Sequence, residues 1–441
     1  MSGEKISTPE AQDAFLEISD QIARSDVTVY ERLNPTNTQA AKEEFLAHPD
    51  MEHPNYEQGN LDEQEVSDNL ARLQAVEKEL ETADLSDSRR RLLGYLAADC
   101  RKKNEFLAAN LVYNAATTPE EKAAAAERHR EANEALYGKP DEGTFYALLR
   151  EKIASINYDS LSDEDKKAYD ELMTEIGDIP ESGAERFKPK PETVQRFAEL
   201  VNYFFEGFLK HIPSDKDSFT SEEMVGIIDE IIDEEFQDED IPYRAEIKPS
   251  ASNASANHEK RRIYFPEGKT YSAARAKALI VHELGTHVMR AIPYVGHDVA
   301  AFATGLPNNE EFDEGVAKSV EQSINGGYED SGIDHYINIG LATFKGKNFR
   351  QVFEIQRKLK RLTGGKEDAA FNAVQRCFRG TGELPNNKDL AYYNGANRVW
   401  QYIEQHIDDP DLFDNLFLTG KTDHQNPDQE SFSYEARTKG I

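Results

Sequence analysis

Cysteine and tryptophan are almost missing from this chain: 441 residues contain two Cys, Cys100 and Cys377, and a single Trp. Two thiols cannot form a disulfide framework, and neither lies in a Cys-x-x-Cys zinc pattern, so both read as reduced structural residues. There is no run of 18 apolar residues, which excludes a membrane-spanning helix. The segment Met1–Lys5 is not a basic stretch followed by an apolar one, so no secretory signal is expected and a cytoplasmic location is. Positive charge is also scarce, with 51 Lys and Arg against 83 Asp and Glu, a net charge of -32. That balance argues against nucleic acid and anionic membrane surfaces as partners, and it disfavours strongly acidic substrates.

Aromatic residues are plentiful by contrast, 22 Phe and 19 Tyr, enough for a sizeable core. The acid is unevenly spread. Residues 221–240 hold ten Asp and Glu and no Lys or Arg, yet Met224, Ile227, Ile228, Ile231, Ile232 and Phe236 recur at helical spacing, so an amphipathic helix with a solvated acidic face is expected. A basic stretch, 345–361, reads as a solvated helix face or a docking surface for that acidic segment.

Residues 1–180 read as a helical N-terminal region. After an uncertain first 55 residues broken by Pro35, Pro49 and Pro54, helices are expected over Asp62–Thr82, from Asp87 onward, from Pro119 to Leu136, over Thr144–Ile156 and over Ser162–Ile176. A Pro- and Gly-rich crossover, 180–191, leads into a second region, 190–420, which opens with an amphipathic helix at 192–211. Arg244–Lys248 and Arg261–Phe265 alternate like strands joined by a Ser/Asn-rich turn, and Arg261–Phe265 is the candidate edge strand for pairing with an extended peptide. A polar tail, 421–441, should fray. The fold class is therefore mainly α with a small β-sheet, α+β.

The chemistry is concentrated in His282-Glu283-Leu284-Gly285-Thr286-His287. Two neutral imidazoles close together on one helix can bind Zn²⁺, and an adjacent Glu can deprotonate water activated by the ion. The ligands are five residues apart rather than four. In a regular α-helix five steps turn the second ring about 140° away from the first, so the pattern demands an extra residue absorbed by a π-type distortion, with Gly285 placed to permit it. A third ligand is expected from Glu310-Glu311-Phe312-Asp313-Glu314-Gly315-Val316-Ala317: Glu314 is first choice, with the shorter Asp313 its rival. One Zn²⁺ per chain follows. The intact Glu283 argues against a purely structural metal in a helical binding protein.

Four motifs in this order resemble the tyrosine/phenylalanine carboxypeptidase family, whose animal members are the MATCAP-type enzymes that remove C-terminal tyrosine from tubulin. They are His282–His287, Asp313–Ala317, Cys377-Phe378-Arg379-Gly380-Thr381-Gly382, and Lys388-Asp389-Leu390-Ala391-Tyr392-Tyr393-Asn394-Gly395; Leu136-Tyr137-Gly138 fits as well. The resemblance implies a zinc peptidase with a gluzincin-like core in which His282, His287 and Glu314 are ligands and Glu283 is the catalytic glutamate. The chain departs from the commonest family pattern at Leu284, Asp313 and Val316, none of which removes a ligand. The substrate would be a peptide or protein C-terminus ending in Tyr or Phe. A carboxypeptidase needs a cation for the free α-carboxylate; Arg379, in a Gly-flanked loop, and Lys388 are the candidates. Tyr392 is the candidate donor to the tetrahedral oxyanion. His297 and His335 are spare histidines without ligand spacing. An aminopeptidase, a dipeptidyl peptidase or an endopeptidase would share the zinc chemistry and remain alternatives.

Overall fold

The computed structural model describes residues 9–439 apart from 182, 185, 237–240, 250, 252, 296–298 and 300. His297 lies outside the described residues. The fold is mainly helical with two small sheets, as the sequence patterns imply. No helix among the described residues is long and apolar enough to cross a membrane. The chain forms two compact units: residues Met1–Arg186 with Gly332–Leu390, and Phe187–Ser331 with Ala391–Ile441. Residues 332–390, which sequence alone grouped with the peptidase region, thus belong with the N-terminal helices.

The first unit is built from helices whose starts are set by local chemistry. Asp62 accepts from the backbone N–H of Gln64 and Glu65 at the head of Glu63–Thr82; Thr118 and Glu121 form a capping box ahead of Pro119–Tyr137; Ser162 caps Asp163–Ile176. The described residues before Tyr56 contain helices Pro9–Ala23, Val29–Leu33 and Thr38–Ala47. The basic stretch is tied to helices and loops of its own unit rather than being wholly solvated. Lys358 pairs with Glu175 at 2.5 Å and Arg361 with Asp165 at 2.7 Å, while Arg350 donates to the carbonyls of Phe45, His48 and Met51. Positive charge set into a chain this acidic finds partners on neighbouring helices.

In the second unit the Ser221–Glu235 helix buries Met224, Ile227, Ile228, Ile231 and Ile232, the face its spacing indicates. These join Phe197, Phe205, Phe312, Val316 and the fully buried Trp400 in one core. Strands β1 (Ser218–Thr220) and β5 (Thr270–Ser272) pair antiparallel, and β2 (Arg244–Ile247), β3 (Ser255–Asn257) and β4 (Arg262–Phe265) form a sheet in the order β2-β4-β3. Here the structure corrects the strand reading. Arg262–Phe265 is the centre of the sheet and not its edge, because the segment taken as a turn supplies a strand of its own. β3 occupies the antiparallel side of β4, leaving β2 to pair parallel on the other side. The C-terminal segment is not a frayed tail either. It forms helix Pro427–Lys439, and Lys421, Thr422, Asp423, Gln429 and Ser433 are buried. Those polar groups are inside because they are paired: Gln429 Nε2 donates to the Pro307 carbonyl at 2.6 Å and Ser433 Oγ to that of Thr419 at 2.8 Å.

Candidate metal centre

The sequence between β5 and the histidines has the chemistry of a helix start. Ser272 caps it by accepting from the Arg275 N–H, and Ala273–Leu279 is regular α-helix. From Ile280 to Val288 the winding widens to a π-helix before α-helical geometry resumes at Met289. Hydrogen bonds spanning five residues replace those spanning four, so residues five apart share a face. The Thr286 hydroxyl follows the same five-residue step, donating to the Val281 carbonyl at 2.9 Å. His282 and His287 consequently stand together, with ring centroids 5.0 Å apart. Gly285 contributes by packing rather than by unusual backbone freedom. A Cβ there would lie 2.7 Å from the Phe205 ring, so the missing side chain lets that core aromatic seat against the widened turn.

Glu314 comes from the Asn309–Ile324 helix. Its carboxylate, His282 and His287 each offer one donor atom, and the three lie within 4.8 Å of one another; His282 Nε2 is 4.0 Å from Glu314 Oε2. Two imidazoles and one carboxylate are the donor set that a catalytic zinc site uses, with a coordination position to spare. The far side of each ring fits the same purpose. His282 Nδ1 meets Glu321 at 3.0 Å and His287 Nδ1 meets Asp313 at 2.6 Å. A carboxylate can only accept, so each Nδ1 carries the proton and each Nε2 presents its lone pair to the cluster. Asp313, the rival for third ligand, therefore sits behind His287, outside the donor triad.

Both backing carboxylates are clamped by two cations. Glu321 takes Lys318 at 2.9 Å and Arg275; Asp313 takes Lys421 at 2.7 Å and Arg290 at 3.1 Å. Burial pushes the Asp313 carboxyl up, but Lys421, His287 and Arg290 together outweigh burial and hold it well below the usual carboxylate range. Glu321 is likewise lowered: burial opposes the shift, and His282 and Lys318 win. Glu283 is buried in the π-helical segment beside His282.

The remaining candidates are distributed between the units. Tyr392 is half-buried on the Leu390–His406 helix, in the same unit as the metal cluster. Arg379 and Lys388 belong to the first unit. There the Arg379 carbonyl accepts from Asn386, and the Lys388 ammonium lies 5.8 Å from the Tyr30 ring centroid. His335 stands beside Asp389 at 3.6 Å and belongs to no donor cluster found among the described residues.

Sequence reasoning missed Glu321, Arg290, His258 and Lys421. Glu321 had a signal: it follows Glu314 by seven residues, two helical turns, and so shares its face. Lys421 had none.

A family model described as microtubule-associated tyrosine carboxypeptidase, MATCAP, matches residues 95–430. The chain belongs to the MATCAP family. Neither the curated proteins nor the solved structures gave a match. The MATCAP match begins within the Asp87–Ala115 helix, takes in both units, and contains the donor triad, Glu283, both clamps, Arg379, Lys388 and Tyr392. The family description is that of a peptidase acting at a protein C-terminus.

Proposed function

We propose that this protein is a zinc-dependent carboxypeptidase of gluzincin type that releases a C-terminal Tyr or Phe. The observation that carries the reading is the His282, His287 and Glu314 triad, with both Nδ1 atoms held by carboxylates so that both Nε2 atoms can coordinate. Family membership supplies the reaction class. His282, His287 and Glu314 would hold the ion, which when bound supplies Lewis acidity and lowers the pKa of water.

The protein's own groups then divide the work. Glu283 accepts a proton from the water that adds to the last peptide carbonyl, and it returns that proton to the departing amine as the C–N bond breaks. Tyr392 donates to the oxygen on which negative charge develops. Arg379 and Lys388 are the candidate partners of the substrate's α-carboxylate, Arg as a bidentate fork and Lys as a point charge. An aromatic last residue buries more apolar area than Ala or Ser, which favours Tyr and Phe. The net charge of -32 opposes acidic tails, so neutral or basic peptides should be cut faster, with the difference shrinking as salt rises.

Mass spectrometry of peptides ending in Tyr, Phe, Ala or Tyr-amide tests the reading. Release of a single Tyr or Phe, with the amide left intact, is the expected result. Cleavage of the amide at the same rate would replace this reading with an endopeptidase or N-terminal peptidase.

A further inference from the structure

Lys421 lies more than a hundred residues beyond the metal-binding motifs, and yet it ends in their midst. Its ammonium is 2.7 Å from Asp313 Oδ2 and 2.7 Å from His258 Nε2. Resting on the zinc-site reading above, we propose that Lys421 is a positioning residue of the metal centre: with Arg290 it anchors the Asp313 carboxylate that orients the His287 ring, which makes the segment around Lys421 part of the site.

The donor arithmetic supports this. A lysine ammonium only donates, so His258 Nε2 must be the acceptor and the His258 proton must sit on Nδ1, pointing to the Tyr243 hydroxyl at 3.0 Å. Burial, reinforced by the Lys421 charge, keeps His258 neutral, well below its ordinary pKa. On its other side Lys421 donates to the same Asp313 oxygen that His287 Nδ1 reaches at 2.6 Å. One ammonium thus joins the sheet, through Tyr243 beside β2 and His258 after β3, to the imidazole that offers its Nε2 to the metal.

The backbone holds Lys421 in place. Its N–H donates to the Phe302 carbonyl at 2.9 Å, and its own carbonyl accepts from the Leu306 N–H at 3.0 Å and from Asn309 Nδ2 at 2.6 Å. Arg290 Nη2 donates to the carbonyls of Gly420 and Thr422 on either side of it. The two clamps differ in setting. Arg275 and Lys318 around Glu321 are 45% and 26% exposed, whereas Arg290 and Lys421 around Asp313 are 0% and 7% exposed. Water can replace a lost partner in the first clamp but hardly in the second, where removing one charge strands the other.

The test compares wild type, Lys421→Met, Asp313→Asn and the double variant, reading zinc affinity by competition with a chromophoric chelator and site geometry from the absorption spectrum of the Co²⁺ form. Partners of metal-ligating histidines are worth about 10- to 100-fold in metal affinity, so each single variant should bind zinc weaker by about that factor, with an altered Co²⁺ spectrum. Because Lys421 acts through Asp313, the double variant should bind no more than about threefold weaker than Asp313→Asn alone, whereas a merely structural role would make the losses multiply. Wild-type affinity in Lys421→Met overturns the proposal, as does a double variant more than tenfold weaker than Asp313→Asn. Should Lys421→Met fail to fold, the comparison of Asp313→Asn with the double variant, which lacks both buried charges, still decides. A wild-type protein that takes up no zinc would overturn the site reading itself, a result distinct from any of these.

Discussion

Gly315 and Gly395 cross so closely that a Cβ on Gly315 would lie 2.3 Å from the Gly395 carbonyl oxygen, and one on Gly395 would lie 2.0 Å from the Glu311 carbonyl oxygen. The helix that carries Glu314 therefore meets the Leu390–His406 helix backbone to backbone, at two glycines that stand in two of the sequence motifs. The obstacle to any side chain is main chain, which cannot swing aside.

Gly315→Ala should accordingly push the helices apart and displace Glu314. Overpacking of a filled core costs about 1–3 kcal/mol, and a clash with backbone belongs at or above the upper end. Thermal unfolding should show a clear fall in Tm, and zinc content should fall with it. Gly94→Ala is the opposite case: it is a helical glycine with nothing within 4 Å of the added carbon, and alanine should stabilise by about 0.5–1 kcal/mol. Equal behaviour of the two variants would contradict the crossing.

Metal content tests the donor triad. Purified protein should carry one zinc per chain, and His287→Ala should lose most of it in elemental analysis, because two donors remain where catalytic sites use three. Full retention of zinc by the variant would remove His287 from the ligand set.

Glu283→Gln separates chemistry from metal binding. The side chain is buried next to His282 but lies outside the donor triad, so the variant should fold and keep its zinc. Turnover should fall by at least about 10²- to 10⁴-fold, the usual worth of a general base. Near wild-type turnover would assign the proton transfer to another group.

His129 gives the first unit a measurable pH dependence. It is buried against Phe106, its Nε2 has no hydrogen-bond partner, and burial lowers its pKa to about 4 from 6.5. The unfolded chain then binds a proton at a higher pH than the folded one. The contribution is present in full above the unfolded value and is lost as pH falls toward the folded value. Between pH 7 and pH 5 this linkage amounts to about 2 kcal/mol. In urea unfolding, wild type should lose about that much more stability over this interval than His129→Leu; parallel losses would show that His129 does not titrate as its burial demands.

Local patterns carried much of this molecule. Caps at Asp62, Ser162 and Ser272 start helices where those residue types can satisfy free N–H groups, and the spacing from Met224 to Ile232 gives the buried face of its helix. The five-residue histidine spacing demands the π-helical widening found over Ile280–Val288, since no regular helix brings the two rings together. Each is decided by contacts within a turn or two of chain, so each leaves a trace in the residues themselves.

What tertiary structure alone decided depends on segments far apart in sequence. Arg262–Phe265 became the centre of its sheet because a short strand from the connecting segment took its other side, and strand order is not written in the alternation of any one strand. Residues 332–390 joined the first unit, and the polar segment after Lys421 was drawn inside, because partners waited there for its amides, hydroxyls and ammonium. The donor residues for a metal were legible in the motifs, because only those residue types offer the lone pairs. Only the fold set Asp313 behind His287, and Lys421 behind Asp313, because a buried charge takes its role from whichever opposite charges the fold brings within reach, however distant in the chain.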